Sequence, residues 1–205
     1  GDFLDFYRGK KVEEALPIGV VLTIPAAGSE GSPNTVITDE STHIKKGAAG
    51  ECLRPKFAVL NPELTFTLSK YQSACGISDM MAHIFERYFT KTPENVVTDR
   101  LCEGLLLAIK DVAMRIIIDS EDYEAQAALM WAGMLAHNNL CGVGRDQDWG
   151  SHALAHQISA LYDAAHGAAL AVILCASTIH SIFKIILFLR SASIQRPNFI
   201  KIVFS

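Results

Sequence analysis

Gly76-Ile77-Ser78-Asp79-Met80-Met81-Ala82-His83 is the stretch that decides the fold. Asp79 and His83 lie four residues apart, so on a helix they share one face and point at one spot. The rest of the chain supplies partners: His152 in Ser151-His152-Ala153-Leu154-Ala155-His156, and His166 at the head of His166-Gly167-Ala168-Ala169. One carboxylate and three imidazoles suit Fe²⁺ or Zn²⁺ and leave room for a substrate oxygen. An isolated Asp-x-x-x-His pair is more often an ordinary helix pair than a ligand pair. The four residues with their flanking sequence reverse that balance.

Downstream of about residue 69 the pattern is helical. Ser69 is placed to cap a helix running towards Cys75, and Ser78 to cap the one carrying Asp79 and His83. Leu101, Leu105, Ile109 and Val112 form a helical stripe within residues 98–113. Residues 123–140 and 152–162 read as further helices, and His166 opens the next. Upstream the signals are short strands: residues 18–24, ended by Pro25, then 35–38, then 57–60, closed by Asn61-Pro62. These suggest the edge of a mixed α/β sheet. The small-residue turn Gly28-Ser29-Glu30-Gly31-Ser32 between the first two could cradle phosphate through backbone N–H groups, although such turns are usually only turns.

The 205 residues are half hydrophobic and 20% charged, with a formal net charge of −4. No basic excess points to nucleic acid. Five scattered cysteines without a C-x-x-C spacing read as reduced thiols of a cytoplasmic protein. Gly1-Asp2-Phe3-Leu4-Asp5 has no signal-peptide pattern. Residues 168–189 are apolar enough for a marginal membrane span, but the metal site already accounts for His166-Gly167 at their start, so no membrane role is expected. No Asp or Glu follows Asp163, whereas Lys184, Arg190, Arg196 and Lys201 do, and residues 185–205 lack caps or a clean period. Residues 175–205 therefore read as a tail foreign to the rest. Among the aromatics, Trp131 and Trp149 read as core or cleft-wall packing. His43, His137 and His180 belong to no motif, with His137 expected as a polar helix-end residue.

An ordered set of motifs carries a family resemblance: Thr23-Ile24-Pro25-Ala26-Ala27-Gly28-Ser29-Glu30; Val59-Leu60-Asn61-Pro62-Glu63-Leu64; Gly76-x-x-Asp79-x-x-x-His83-x-x-Glu86-x-Tyr88; His152-x-x-x-His156; and His166-Gly167. The chain resembles the iron-containing alcohol dehydrogenases over roughly residues 1–174. Residues 128–132 and 144–149 resemble the butanol dehydrogenase-like, NADPH-preferring aldehyde reductases within that family. The resemblance implies an α+β, multi-domain fold. Residues 1–68 would be the remnant of an α/β dinucleotide-binding domain, and residues 69–174 an all-helical metal-binding domain, in a dehydroquinate synthase-like architecture.

It also implies roles for particular residues. Asp79, His83, His152 and His166 fall on the family's metal ligands, and His156 on a histidine near substrate and nicotinamide, cast as a proton relay or substrate-positioning group. Thr23, Ala26, Ala27, Lys45 and Leu60 fall on cofactor-contacting positions, with Ala26 and Ala27 replacing threonines common elsewhere in the family. The implied cofactors are Fe²⁺ (or Zn²⁺) with NADP(H) or NAD(H). The implied substrate is a small aliphatic alcohol or aldehyde, and the intact parent is expected to be a homo-oligomer. Gly1–Asp5 matches the segment just after the family's Gly-Gly-Gly-Ser pyrophosphate turn, so the chain reads as the middle of such an enzyme and little turnover is expected of it alone. The alternatives are a non-catalytic metal-binding or oligomerisation module and a dehydroquinate synthase-like lyase.

Overall fold

A pair of short parallel strands and a separate hairpin precede a bundle of helices. The computed structural model describes residues 2–42 and 44–176. The readings of His43, of His180 and of the tail beyond residue 176 lie outside them.

After a single helical turn, α1 (Leu4–Tyr7), strand β1 (Gly19–Val21) pairs in parallel with β4 (Phe57–Val59). Strands β2 (Asn34–Asp39) and β3 (Ile44–Ala49) form an antiparallel hairpin, with Asn34 opposite Ala49 and Asp39 opposite Ile44. The Asp39 carboxylate accepts from both the Ser41 N–H and hydroxyl, which tightens the connecting turn. Among the described residues, the expected edge of one mixed sheet is therefore two separate two-stranded sheets. Strand β3 escaped the sequence reading because Ile44-Lys45-Lys46-Gly47-Ala48-Ala49 has almost no intrinsic strand preference. Its pairing with β2 supplies what local composition does not.

One continuous helix, α2 (Lys70–Tyr88), carries the decisive stretch. Ser69 caps it: its hydroxyl accepts from the Gln72 N–H while the Gln72 side chain accepts from the Ser69 N–H. Ser78 lies inside this helix and caps nothing, so the expected break between two helices is corrected. Ser69-x-x-Gln72 carries the reciprocal acceptor that Ser78-x-x-Met81 lacks. Helices α3 (Val96–Ile118), α4 (Tyr123–His137) and α5 (Gly150–Tyr162) come next along the chain, and residues 166–176 form α6. No helix of the described residues is long and apolar enough to cross a membrane.

Helix α2 is buried on two sides. Met80 and Ile84 meet Ile109 and Ile116 of α3 and Leu129 of α4 in the main core. Ala82 meets Ala155 of α5 and Ala169 and Leu170 of α6 in a second cluster. The small alanines let α5 and α6 come close. Glycines let backbone touch backbone: a Cβ on Gly76 would strike the Pro25 carbonyl, and one on Gly167 would strike the Cys75 carbonyl. The Pro25-Ala26 turn and the start of α6 therefore both dock on one turn of α2.

Candidate metal centre

Asp79, His83 and Glu86 lie in succession along α2 at spacings of four and three residues, on the strip between its two packed sides. All three are buried. His152 comes from the first turn of α5 and His166 from the first residue of α6. The Nε2 atoms of His83 and His152 each lie 3.4 Å from Asp79 Oδ1, and that of His166 lies 3.8 Å from it. The donor atoms of Asp79, His152 and His166 are all within 4.8 Å of one another, and His83 joins this trio through Asp79.

The two 3.4 Å separations fit a shared ion. Asp79 Oδ1 and His152 Nε2 are buried without any hydrogen-bond partner, a costly state for either atom on its own. Hydrogen bonds would draw such atoms to about 2.7–3.2 Å. Donors bound at about 2.0–2.2 Å to one tetrahedral ion stand roughly 3.3–3.6 Å apart.

Electrostatics keep most of the imidazoles available as lone-pair donors. Burial, then the neighbouring His137, holds His83 well below the ordinary histidine value. Burial lowers His166 to about 4, with Asp79 opposing and Lys45 adding to the fall. His152 differs: burial pulls it down, but the carboxylates of Asp79 and Glu86 outweigh that and raise it.

The loop before α5 is pinned to the C-terminal end of α2. Arg145 donates to the carbonyls of Arg87 (2.7 Å) and Tyr88 (2.6 Å) and pairs with Asp99, satisfying carbonyls that a helix end leaves open. The Asp148 N–H donates to the Glu86 carbonyl at 2.9 Å. Residues 144–149 thus set where α5 begins and where His152 points.

A cavity of about 1000 Å³ opens on the cluster, of a size that suits a cofactor with a small substrate. Hairpin β2–β3 forms one wall and contributes Lys45. Burial lowers the Lys45 pKa, and the charge of Asp79 partly restores it. His156 lines the cavity with its ring 4.9 Å from that of His166. Burial first, then Lys45, pushes His156 below its ordinary value.

The other expected positions divide. Ala27 lines the cavity, whereas Thr23, Ala26 and Leu60 do not. Thr23 and Leu60 instead sit just beyond the C-terminal ends of β1 and β4, on the same edge of the parallel pair. In the phosphate-cradle candidate, Ser29 and Ser32 face the cavity, but Glu30 is buried and its pKa is raised by that burial. Trp149 is a cleft wall, with its ring 5.2 Å from that of His152 and under the Arg87 guanidinium. Trp131 is 56% exposed, so its expected place in the core or cleft wall is corrected.

Two site residues had no role in the sequence reading. His137 does end α4, as expected of a helix-end residue, but its ring also stacks 3.9 Å from that of His83 and lines the cavity. Arg87 donates to its Nδ1 at 3.1 Å, and burial together with that cation lowers it to about 4. Glu86 accepts from the Ser151 N–H (2.6 Å), the His152 N–H (3.2 Å) and His152 Nδ1. Its spacing from Asp79 and His83 on one helical face was a readable signal. His137 gave none, because its contact with α2 is made only by the packing of α4.

Three imidazole Nε2 atoms around Asp79 Oδ1, with Oδ1 and His152 Nε2 lacking any hydrogen-bond partner, held by three helices beside a cofactor-sized cavity, define a candidate divalent-metal protein. Two family models match the sequence: "Iron-containing alcohol dehydrogenase" over residues 2–62 and "Fe-containing alcohol dehydrogenase family, C-terminal" over residues 73–183. The chain belongs to the iron-containing alcohol dehydrogenase family. It is 39% identical over 174 residues to a probable NADH-dependent butanol dehydrogenase 2 of Bacillus subtilis, covering 84% of this chain and 45% of the relative. It is 38% identical over 166 residues to the NADPH-dependent aldehyde reductase YqhD of Escherichia coli, covering 81% and 43%. The crystal structure of an NADH-dependent butanol dehydrogenase A from Thermotoga maritima superposes with a TM-score of 0.81 at 41% identity, covering 83% of this chain and 43% of that one. The chain spans less than half the length of these relatives. Their names include both NADH and NADPH, so the likeness does not select between the two cofactors.

Proposed function

We propose that this chain carries the metal centre and one wall of the cofactor cleft of an NAD(P)H-linked oxidoreductase acting on short aliphatic aldehydes and primary alcohols. The observation that supports it most is the gathering of three imidazole Nε2 atoms around Asp79 Oδ1 at 3.4–3.8 Å, with no hydrogen bond to account for Oδ1. In this reading Asp79, His83, His152 and His166 hold Fe²⁺ or Zn²⁺. When bound, such an ion supplies Lewis-acid polarisation of an alcohol or carbonyl oxygen.

The chain's own residues do the rest. Neutral His156, on the cavity wall, takes and returns the proton exchanged with the alcohol at a ring nitrogen. Lys45 brings positive charge to the cofactor side of the cavity, and Trp149 keeps water from the cluster. Thr23, Ala26, Ala27 and Leu60 border the dinucleotide, with Thr23 and Leu60 at the strand ends where nucleotides dock in open α/β folds. Residues 1–68 then belong to a dinucleotide-binding unit and 69–174 to a helical metal-binding unit, in the architecture shared with dehydroquinate synthases.

The test is metal content of the purified chain after stripping and reloading, beside His152→Ala. About one Fe or Zn per chain, lost in the variant, supports the reading. Equal metal in both proteins, or none in either, overturns the metal centre. Metal bound with no response of NADH or NADPH fluorescence would instead favour a non-catalytic metal-binding module.

A further inference from the structure

Glu86 accepts hydrogen bonds on both of its oxygens. Oε1 takes the N–H groups of Ser151 and His152, at 2.6 and 3.2 Å. These belong to the first turn of α5, whose own N-cap residue, Trp149, contributes no side-chain cap. A carboxylate from α2 therefore caps α5. Oε2 meets His152 Nδ1.

An ionised carboxylate can only accept, so the proton between them is that of Nδ1–H. In its neutral form, the form that binds a cation, the ring carries that one proton, which leaves a lone pair on Nε2. That lone pair faces Asp79 Oδ1, 3.4 Å away. His83 and His166 lack this arrangement, because their Nδ1 atoms are buried without a hydrogen-bond partner. Only His152 among the three has its ring orientation and tautomer fixed by the protein.

We propose that Glu86 is the positioning residue of the centre: one carboxylate caps α5 and locks His152 in the tautomer that presents Nε2 to a divalent cation. The inference rests on the proposed metal centre, and it makes His152 the ligand set in place before any ion arrives. The outer partners of metal-bound histidines orient the ring and raise its basicity.

Glu86→Gln is the informative variant because it keeps the size and replaces one of the two acceptor oxygens with an NH₂ donor. If the Gln carbonyl keeps the two backbone N–H groups, its NH₂ faces Nδ1 and drives the imidazole proton to Nε2, towards the cation position. If it turns over, its NH₂ opposes two N–H donors.

The experiment measures Zn²⁺ and Co²⁺ affinity of the 205-residue chain by chelator competition at one fixed pH, with circular dichroism to check folding. The expected result is a 10–100-fold loss in Glu86→Gln with the Co²⁺ visible spectrum altered. Glu103→Gln removes the same charge from a carboxylate bonded to Tyr88 and Arg100, and it should bind like the parent. Equal affinity of Glu86→Gln and parent overturns the inference while the metal centre stands; failure of the parent itself to bind overturns the centre. Long-range ¹H–¹⁵N correlation on the metal-free parent decides independently of metal or variant folding. At a pH high enough for His152 to carry a single ring proton, that proton on Nδ1 supports the proposal, and on Nε2 it ends it.

Discussion

Gly167→Ala tests how tightly the site depends on one backbone contact. A Cβ at this position would lie 2.5 Å from the Cys75 carbonyl carbon and 2.7 Å from its Cα, where ordinary contact begins at 3.4 Å. Both are backbone atoms in the middle of α2, so no side chain can swing aside. Relief requires α6 to retreat by about 1 Å, and packing changes of this kind cost roughly 1–3 kcal/mol. His166 is the adjacent residue and moves with the helix. Metal ligands tolerate displacement of only about 0.2 Å, so the variant should forfeit His166 as a donor. The expected result is at least a 10–100-fold weaker Zn²⁺ affinity, by analogy with the loss of an outer partner, together with a lower urea midpoint. Gly104→Ala on α3 is the control: its new methyl meets nothing within 4 Å, and it should stabilise by up to about 1 kcal/mol with unchanged metal binding. Parent-like affinity and stability in Gly167→Ala would refute the close approach of α6 to α2.

Ser69→Ala should lower stability by about 1 kcal/mol through loss of the cap, whereas Ser78→Ala in the helix interior should change it by only a few tenths; equal losses in urea unfolding would argue for a helix break at Ser78. Metal-free protein should lose stability on acidification between the ordinary histidine value of 6.5 and about 4, where His137 and His166 titrate in the fold. There the unfolded chain binds more protons than the native one, so stability falls as pH falls. The loss is no more than about 3 kcal/mol per histidine, and less for His166, whose side chain keeps 23% exposure. His152, raised in the fold, works in the opposite sense. Urea midpoints that stay level or rise on acidification would contradict the burial of His137 and His166.

The sequence made most of the candidate cluster legible because helical spacing places Asp79 and His83 together, and the histidines of α5 and α6 recur in recognisable surroundings. The three strands with β-branched residues were legible for the same local reason. The hidden features depend on distant packing. Strand β3 exists because β2 pairs with it, and His137 enters the site because α4 crosses α2. The bond between Glu86 and His152 spans 66 positions and leaves no periodic trace. Ser69 and Ser78 looked alike as caps until the reciprocal bond of Gln72 distinguished them.

Parallel strands are ordinarily covered on both faces, yet in the β1–β4 pair Val21 is 58% exposed, Phe57 64% and Val59 45%. Neither strand has a second neighbour among the described residues. Two open edges with unpaired amide groups and apolar side chains form a template for strand addition. Purified at high concentration, the chain should self-associate edge to edge through this pair, and a lysine at Val59 would be the simplest change to keep it dispersed. Colloidal behaviour would then be governed by these few strand residues.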